Sequence, residues 1–355
     1  MTGAGGWRLG AGAGAPFCFQ LLIGALVAGL LFAAEARRSA ETAPQAPILY
    51  WTRGVETAAE LKRHGIERIA VPPANLAAWR KAGFQVVAMS ERELARREKL
   101  LMPRIAGRAN IASATSRPWI DANGWRFVRK PAGKFYYDLT QNARNHVALA
   151  VAEAFAYKAD AVLKIDPADL PSLEDAGRMI RFLRELPAAN YSPIADIGVL
   201  DNGSPAMGEV MNLLTRRNLL FNIVRAPSPN FRVNIKLGTK EYPDTEASDP
   251  SEFAQKIRRQ VGDENRALRI YGSETVIARL TGDGQSFRLH LLNYSGREIE
   301  GLRIRLLRVR ADGGNYQAFG YGFFQPDAIV TSEGGLEFSI PKLGSYAVID
   351  GRFAS

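Results

Sequence analysis

The sequence has very few residues of the types that carry thiol or imidazole chemistry. Its 355 residues include one cysteine, Cys18, and three histidines, His64, His146 and His290. A single cysteine cannot form an intramolecular disulfide, and it cannot build a site with several zinc-bound thiolates. The histidines are far apart along the chain and show neither metal-ligand spacing nor the setting of a nucleophilic triad. We therefore expect no metal and no other cofactor.

Negative charge is also in short supply, since 46 Lys and Arg face 36 Asp and Glu, a formal charge of +10. Part of the excess lies between residues 258 and 310, which hold eleven Arg and six acidic residues. In LRIRLLRVR (302–310), Arg alternates with apolar residues, as on the solvent face of a strand. We therefore expect a solvated strand face and no nucleic-acid partner. Attraction to an anionic cell-envelope surface or polysaccharide is the alternative.

One uncharged apolar run, FCFQLLIGALVAGLLFAA, occupies residues 17–34. Ala34 and Ala36 suit the −3 and −1 positions of a signal-peptidase site, so residues 1–36 are interpreted as a signal peptide and 37–46 as a linker. This predicts a secreted or periplasmic protein. An uncleaved anchor is the alternative, because the 18 residues of the run approach the ~20 that span a bilayer. Membrane contact would then come through this segment only.

Residues 47–265 alternate short apolar strands with helices, a pattern that predicts a parallel sheet flanked by helices. The strands centre near residues 50, 69, 87, 137, 163, 198, 222 and 234. Eight strands favour a (β/α)8 barrel, with a degenerate seventh unit because no helix fits between the last two. The alternative divides the region near residue 190 into a truncated barrel followed by a flavodoxin-like layer.

Three local predictions accompany this assignment. Residues 91–101 form one long, highly charged helix, and Asn123-Gly124 forms the turn of a β-hairpin between aromatic-flanked runs. Ser172 and Asp175 have the spacing of a capping box at the start of the next helix.

Residues 266–355 change to a period of two, which predicts antiparallel strands and most simply a β-sandwich. TGDG (281–284) is a hairpin turn signal within this region.

The segment ALRIYGSETVIARLTGDGQSFRLHLLNYSGREIEGLRIRL (267–306) resembles the C-terminal β-domain of glycoside hydrolases, including the β-galactosidase-like and fucosidase-like groups. In both, a strand that ends in a Leu-Asn-aromatic step precedes a polar turn. The resemblance implies a barrel followed by a β-sandwich and a carbohydrate partner. The barrel region departs from those enzymes in having no Asn-Glu-Pro catalytic signature.

Three carboxylates follow predicted strands, at Asp138, Asp166 and Asp201. Glycoside hydrolysis uses two carboxyl groups that flank the scissile bond, and in a barrel such groups lie where the strands end. The three are therefore candidates for acid, base or nucleophile. The alternative is that each starts a turn or caps a helix, as Asp often does after a strand.

Four further residues are candidates for binding substrate. Trp51 and Tyr137 lie near predicted strand ends, where flat aromatic faces suit sugar rings. Arg53 suits an anionic substrate group, or is a surface arginine. Lys164 interrupts an apolar strand, so it pairs with Asp138 or Asp166, or extends its amine to solvent.

Together these features predict an exported, carbohydrate-active protein that hydrolyses a glycan through carboxylates. The second hypothesis is a glycan- or envelope-binding protein that keeps the hydrolase shape without the catalysis.

Overall fold

A computed structural model describes residues 46–106, 118–141, 143, 146–309, 316–332 and 334–353. All of them belong to one compact unit. The predicted signal peptide (1–36), Cys18 and most of the predicted linker lie outside the described residues. Within the described ranges, no helix is both long enough and apolar enough to cross a membrane.

The chain contains strands and helices in mixed order. The strands are β1 (Ile48–Tyr50), β2 (Arg68–Val71), β3 (Gln85–Ala88), β4 (Glu98–Leu100), β5 (Arg104–Ala106), β6 (Trp119–Asp121), β7 (Lys134–Leu139), β8 (Asp160–Ile165), β9 (Ser192–Pro193), β10 (Ile197–Val199), β11 (Phe221–Ile223), β12 (Val233–Ile235), β13 (Leu268–Tyr271), β14 (Val276–Gly282), β15 (Ser286–Asn293), β16 (Ile299–Leu307), β17 (Gln317–Gly320), β18 (Asp327–Ser332), β19 (Gly335–Leu343) and β20 (Tyr346–Arg352). The helices are α1 (Ala58–Arg63), α2 (Leu76–Lys81), α3 (Glu91–Ala95), α4 (Gly124–Arg129), α5 (Val147–Ala156), α6 (Leu170–Glu185), α7 (Pro205–Arg216) and α8 (Pro250–Val261).

The parallel strands divide into two sheets. Six pair in the order β3-β2-β1-β8-β7-β4, and three pair in the order β11-β10-β12. From β1 to β3 each strand pairs with the next one in the chain, and β4, β7 and β8 also pair in chain order. β8 pairs with β1 and joins the two groups into one arc, whose edge strands are β3 and β4. The described strands therefore do not form a closed (β/α)8 barrel. The division lies near residue 190, where the alternative of a truncated barrel followed by a flavodoxin-like layer also divides the region.

The reason for this division lies in β9. After α6 the chain does not add a seventh strand to the arc, because β9 pairs antiparallel with β14 of the C-terminal region, with Pro193 opposite Thr281. The chain then enters β10, which pairs with β11 on one side and β12 on the other.

The two faces of the arc have different surroundings. On one face, Phe135 and Tyr137 of β7 are buried against α5, whose ten residues are all buried. A helix that is buried all round needs partners on every side, and α6, the six-stranded sheet and β15 provide them. The other face holds a smaller apolar cluster that includes Tyr50 of β1, Val162 of β8 and Leu94 of α3.

The C-terminal region contains two antiparallel sheets, ordered β13-β16-β19-β18 and β17-β20-β15-β14-β9. Leu289 of β15 and Leu302 and Ile304 of β16 belong to one buried apolar cluster, so the two sheets share a core. Arg303, between the last two, is exposed and forms an ion pair with Glu337 at 2.7 Å. The period-two prediction of a solvated arginine face is confirmed here.

The predicted hairpin at Asn123-Gly124 is wrong, since Gly124 begins α4. The strand that pairs with β6 is β5, which precedes it. Asn123 is buried, and its side chain accepts a hydrogen bond from Leu101 N at 3.0 Å and donates to Leu101 O at 2.9 Å. These long-range bonds use the groups that a two-residue turn would leave to solvent.

The predicted charged helix over 91–101 is also only partly correct. Ser90 and Glu93 form a capping box, but the helix ends at Ala95 and β4 follows. The charges of β4 bind side chains on neighbouring elements, with Glu98 to Lys130 at 2.6 Å and Lys99 to Asp138 at 2.9 Å. A strand whose charges are paired in this way has no apolar pattern to reveal it.

Other local predictions divide in the same manner. The turn at 281–284 is confirmed, with Thr281 of β14 opposite Arg288 of β15. The capping box at Ser172 and Asp175 is wrong. The helix begins earlier, because the Asp169 carboxylate accepts a hydrogen bond from Ser172 N at 3.1 Å.

One buried carboxylate joins these parts. Glu153 of α5 is 0% exposed and accepts four hydrogen bonds. Asn123 donates its backbone N–H at 2.7 Å and its side-chain N–H at 2.9 Å, Tyr137 its hydroxyl at 2.5 Å, and Tyr294 its hydroxyl at 2.6 Å. Burial raises the pKa of Glu153, and the donors act in the opposite direction. Tyr294 thereby ties the Leu-Asn-aromatic step after β15 to α5.

We expect Tyr294→Phe to lower the free energy of unfolding by about 1.5–3 kcal/mol, the usual effect of losing a hydrogen bond to a charged group. Tyr50→Phe is the matched control, because the Tyr50 hydroxyl is buried without a hydrogen-bond partner in the described structure. That change should leave stability unchanged or raise it. Urea unfolding of both variants measures the difference, and equal losses would contradict the role given to Tyr294.

A second buried group predicts a pH dependence. His290 is 4% exposed, and its Nδ1 is 2.6 Å from the Tyr346 hydroxyl. Burial, with smaller contributions from the charges of Arg288, Arg279 and Lys158, holds the pKa of His290 well below its ordinary value of 6.5. Below that pH the unfolded chain binds a proton that the folded chain does not. The contribution of His290 to stability is thus present above pH 6.5 and decreases toward acid.

We therefore expect the free energy of unfolding to fall below pH 6.5, with His290 contributing at most ~1.4 kcal/mol per pH unit. In His290→Leu this part of the slope should disappear. Tyr346→Phe should lower stability at every pH and keep the slope, because burial and not this hydrogen bond depresses the pKa. Urea unfolding from pH 7.5 to 5.5 tests both variants. If the free energy of unfolding of His290→Leu depends on pH as steeply as that of the wild type, His290 is not the group responsible.

Candidate functional site

Four polar side chains meet where strands of the six-stranded sheet end. Asp138 of β7 lies opposite Lys164 of β8, and Lys164 lies opposite Tyr50 of β1. Residues in register on neighbouring strands project from the same face, so the three form a row. Lys99 of β4 lies opposite Tyr136, two residues before Asp138, and its amine donates a hydrogen bond to Asp138. We call Tyr50, Lys99, Asp138 and Lys164 the rim cluster.

Asp138 is the acidic member of the rim cluster, and its side chain is 23% exposed. Its carboxylate accepts hydrogen bonds from Lys99 Nζ at 2.9 Å and from the Thr140 hydroxyl at 2.7 Å. Burial acts to raise the pKa of Asp138, but the bonds from Lys99 and Thr140 outweigh it and hold the pKa below its ordinary value. Asp138 is therefore a stabilised carboxylate and a poor proton donor.

Tyr50 forms the buried end of the row and is 1% exposed. Met89 and Leu94 pack beside it in the small apolar cluster of this face. Burial, followed by the charge of Glu91, raises the pKa of the phenol, so Tyr50 stays protonated and can donate a hydrogen bond.

The other two predicted carboxylates have hydrogen-bond partners outside the rim cluster. Asp166 is exposed and accepts a hydrogen bond from Ala168 N at 2.9 Å, the geometry of a turn that leads into α6. Asp201 follows β10 in the three-stranded sheet, where Arg129 donates two hydrogen bonds of 2.8 Å to its carboxylate. The side chains of Asp201 and Arg129 are only 17% and 14% exposed. The three carboxylates thus lie in three different settings.

The predicted aromatic platform requires correction. Trp51 and Tyr137 are each 0% exposed, so neither ring offers a face to a sugar. Trp51 donates its indole N–H to Thr57 at 2.9 Å, and Tyr137 binds Glu153. The sequence predicts both near strand ends, but their side chains point into the core beside the helices and away from the rim cluster.

The two predicted cations differ in their surroundings. Arg53 is 47% exposed and 4.0 Å from Glu60, as for an ordinary surface arginine. Lys164 is half-buried beside Asp138, although the carboxylate itself bonds to Lys99. Lys99 was missed because the sequence places it in a helix, and only its register with Tyr136 brings it to this face.

Two further tryptophans lie next to the three-stranded sheet. Trp119 of β6 and Trp125 of α4 pack against the apolar cluster of the three-stranded sheet. Each ring carries a guanidinium, that of Arg216 at 3.8 Å and that of Arg126 at 4.5 Å. Elsewhere in the described ranges, no group of three or more His, Cys, Asp or Glu side chains could hold a metal ion.

No family model and no curated protein matches this sequence. Among solved structures, it is similar to α-L-fucosidase isoenzyme 2 from Paenibacillus thiaminolyticus, with a TM-score of 0.52 and 9% identity over 79% of this chain and 71% of the fucosidase. Two weaker likenesses are an exo-carrageenase from Bacteroides ovatus (TM-score 0.36, 8% identity, 71% of this chain and 47% of that one) and a β-galactosidase from Bacillus circulans sp. alkalophilus (TM-score 0.35, 8% identity, 80% and 63%).

The likeness in fold rests on the fucosidase, and this chain spans less than two thirds of the other two enzymes. A structural likeness at 9% identity indicates a similar fold and does not indicate a shared activity. The chain thus has a mixed α/β fold with several sheets, similar to the fold of this glycoside hydrolase.

Proposed function

We propose that this protein binds a glycan through a glycoside hydrolase-like fold without hydrolysing it. The observation that carries the proposal is that each of the three predicted carboxylates already has a partner of its own. Hydrolysis needs two carboxyl groups that are free to face the scissile bond, about 5–10 Å apart. Asp138 is held by Lys99, Asp201 by Arg129 on another sheet, and Asp166 by its own turn.

Hydrolysis through Asp138 is the second candidate, because the rim cluster gives it support. Asp138 lies near the end of a parallel strand, where barrel enzymes place their active sites. Tyr50, on the far side of Lys164 in the same row, has a buried hydroxyl with no partner in the described structure. Asp138 would act as base or nucleophile in such a reaction, because its lowered pKa is unsuited to an acid.

A panel of neutral and acidic oligosaccharides distinguishes the two candidates when binding and reducing-sugar release are measured together. We expect saturable binding without release, both in the wild type and in Asp138→Asn. Asp166→Asn is the matched control, because Asp166 serves only a turn. Release that disappears in Asp138→Asn and persists in Asp166→Asn would establish hydrolysis instead. Absence of any binding would refute both candidates.

We also propose that residues 1–36 export the chain and are then removed. The apolar run at 17–34 and the small residues at Ala34 and Ala36 support this. The protein recovered outside the cytoplasm should begin near Arg37 when its N-terminus is sequenced. A chain that keeps residues 17–34 and sediments with membranes would indicate an anchor.

A further inference from the structure

We propose that a basic surface at the N-terminal end of the six-stranded sheet binds the anionic headgroups of a lipid bilayer. The six strands run parallel, so their N-terminal ends lie together, and so do the C-terminal ends of the helices that return to them. The rim cluster lies toward the opposite ends of the strands. This inference goes beyond the proposed glycan binding and does not depend on it.

Three helices end in basic residues at this end of the sheet. Cations are common in the last turn of a helix, because they offset the partial negative charge of the free carbonyl groups. One such pair would therefore indicate nothing about a partner. Here six exposed side chains meet, and we call them the basic face: Lys62 and Arg63 of α1, Arg80 and Lys81 of α2, and Arg181 and Arg184 of α6.

Hydrogen bonds join the three helix ends into one surface. Lys62 donates to Ala82 O, just after α2, at 2.8 Å. Arg181 donates to His64 O, just after α1, at 2.6 Å, and Arg184 donates to the next carbonyl oxygen along the chain at 2.7 Å. These acceptors are neutral, so the bonds hold the cations in place without cancelling their charge.

Few acidic side chains oppose the basic face. Arg184 forms an ion pair with Glu67 at 3.2 Å, and Glu185 is the last residue of α6. Glu60 of α1 lies 4.0 Å from Arg53, which follows β1 at the other end of the sheet. Six cations are thus opposed by two carboxylates at this end.

The neighbouring strand starts do not reverse this excess. Asp160 of β8 is paired with Arg97 at 2.8 Å, and Glu98 of β4 is paired with Lys130 at 2.6 Å. The first residues of β2 and β7 are also basic. The positive charge therefore extends across the N-terminal end of the sheet.

The path of the chain favours a bilayer as the partner. β1 begins at Ile48, at the same end of the sheet, so the preceding chain enters the fold beside the basic face. The apolar run at 17–34 ends fourteen residues before Ile48, which is at most ~50 Å of extended chain. While that run lies in a membrane during export, the basic face is within reach of the headgroups.

The size of the basic face suits this role. Clusters of about four to eight Lys and Arg are typical of proteins that bind anionic membranes, and each such residue near the surface strengthens binding roughly fivefold. Binding through the basic face would turn the rim cluster away from the bilayer, because the two lie at opposite ends of the same strands. The glycan would then approach from the side away from the membrane.

The test is cosedimentation with vesicles of phosphatidylcholine, either pure or mixed with phosphatidylglycerol. It uses the chain from Arg37 onward, which contains the whole compact unit Pro44–Ser355 and lacks the apolar run, so that only the folded surface and its short linker are measured. We expect the anionic vesicles to bind at least tenfold more tightly than the neutral ones. About 0.5 M NaCl should abolish the difference, because it shortens the range of electrostatic attraction.

The variant Arg63→Gln/Arg80→Gln/Lys81→Gln tests the basic face itself. These three side chains are exposed and form no ion pair or side-chain hydrogen bond in the described structure, so their replacement should leave the fold intact, as circular dichroism can check. Binding to the anionic vesicles should weaken at least tenfold.

The matched control is Arg225→Gln/Lys236→Gln/Lys240→Gln, which removes the same charge from exposed positions after β11 and β12. It should bind the anionic vesicles as the wild type does. Equal losses in the two triple variants, or no preference for anionic vesicles in the wild type, would overturn the proposal. It would also be overturned if the basic-face variant lost binding to oligogalacturonate and kept binding to vesicles, since the ligand would then be an acidic polysaccharide.

Discussion

The buried carboxylate of Glu153 is the interaction on which the rest of the structure depends. A carboxylate with no contact to water is tolerated only when hydrogen bonds replace its hydration, since the desolvation of a charge costs several kcal/mol. Its four donors come from the residue before α4, from β7 and from the end of β15. Each of these elements must therefore reach one point inside the molecule. The position of α4 follows from this, and so does the contact between α5 and the C-terminal sheets.

The same interaction explains which features could be predicted from the sequence. Elements with a clear apolar period were located well, because burial of one face sets both the type and the register of α7, α8 and β7. The errors lie where a polar side chain has a distant partner. Asn123 has the local signature of a turn, but its bonds to Leu101 and Glu153 start a helix instead. No sequence neighbour of Asn123 carries that information.

The rim cluster shows a similar limit for site residues. Asp138 and Lys164 could be placed at strand ends from the apolar runs before them, and their side-by-side position follows from parallel pairing. The partner of Asp138 could not be predicted, because Lys99 lies in a strand, β4, whose charged residues give no apolar strand pattern in the sequence. The roles of Asp166 and Asp201 depend on a turn and on Arg129, which is distant in sequence.

Proton supply is the strongest physical argument about the chemistry of this fold. Glycoside hydrolysis needs a carboxylic acid that keeps its proton near neutral pH and touches the leaving group. In the described chain the pKa is raised for Glu153 and for Asp196, in both cases first by burial. Glu153 is inaccessible, and Asp196 precedes β10 and bonds to Ala267 N at 3.0 Å, away from the rim cluster. Asp138 is accessible but is held in its ionised form by Lys99. A raised pKa and access to a ligand thus belong to different carboxyl groups, whereas binding a sugar requires neither a proton donor nor a pair of carboxylates.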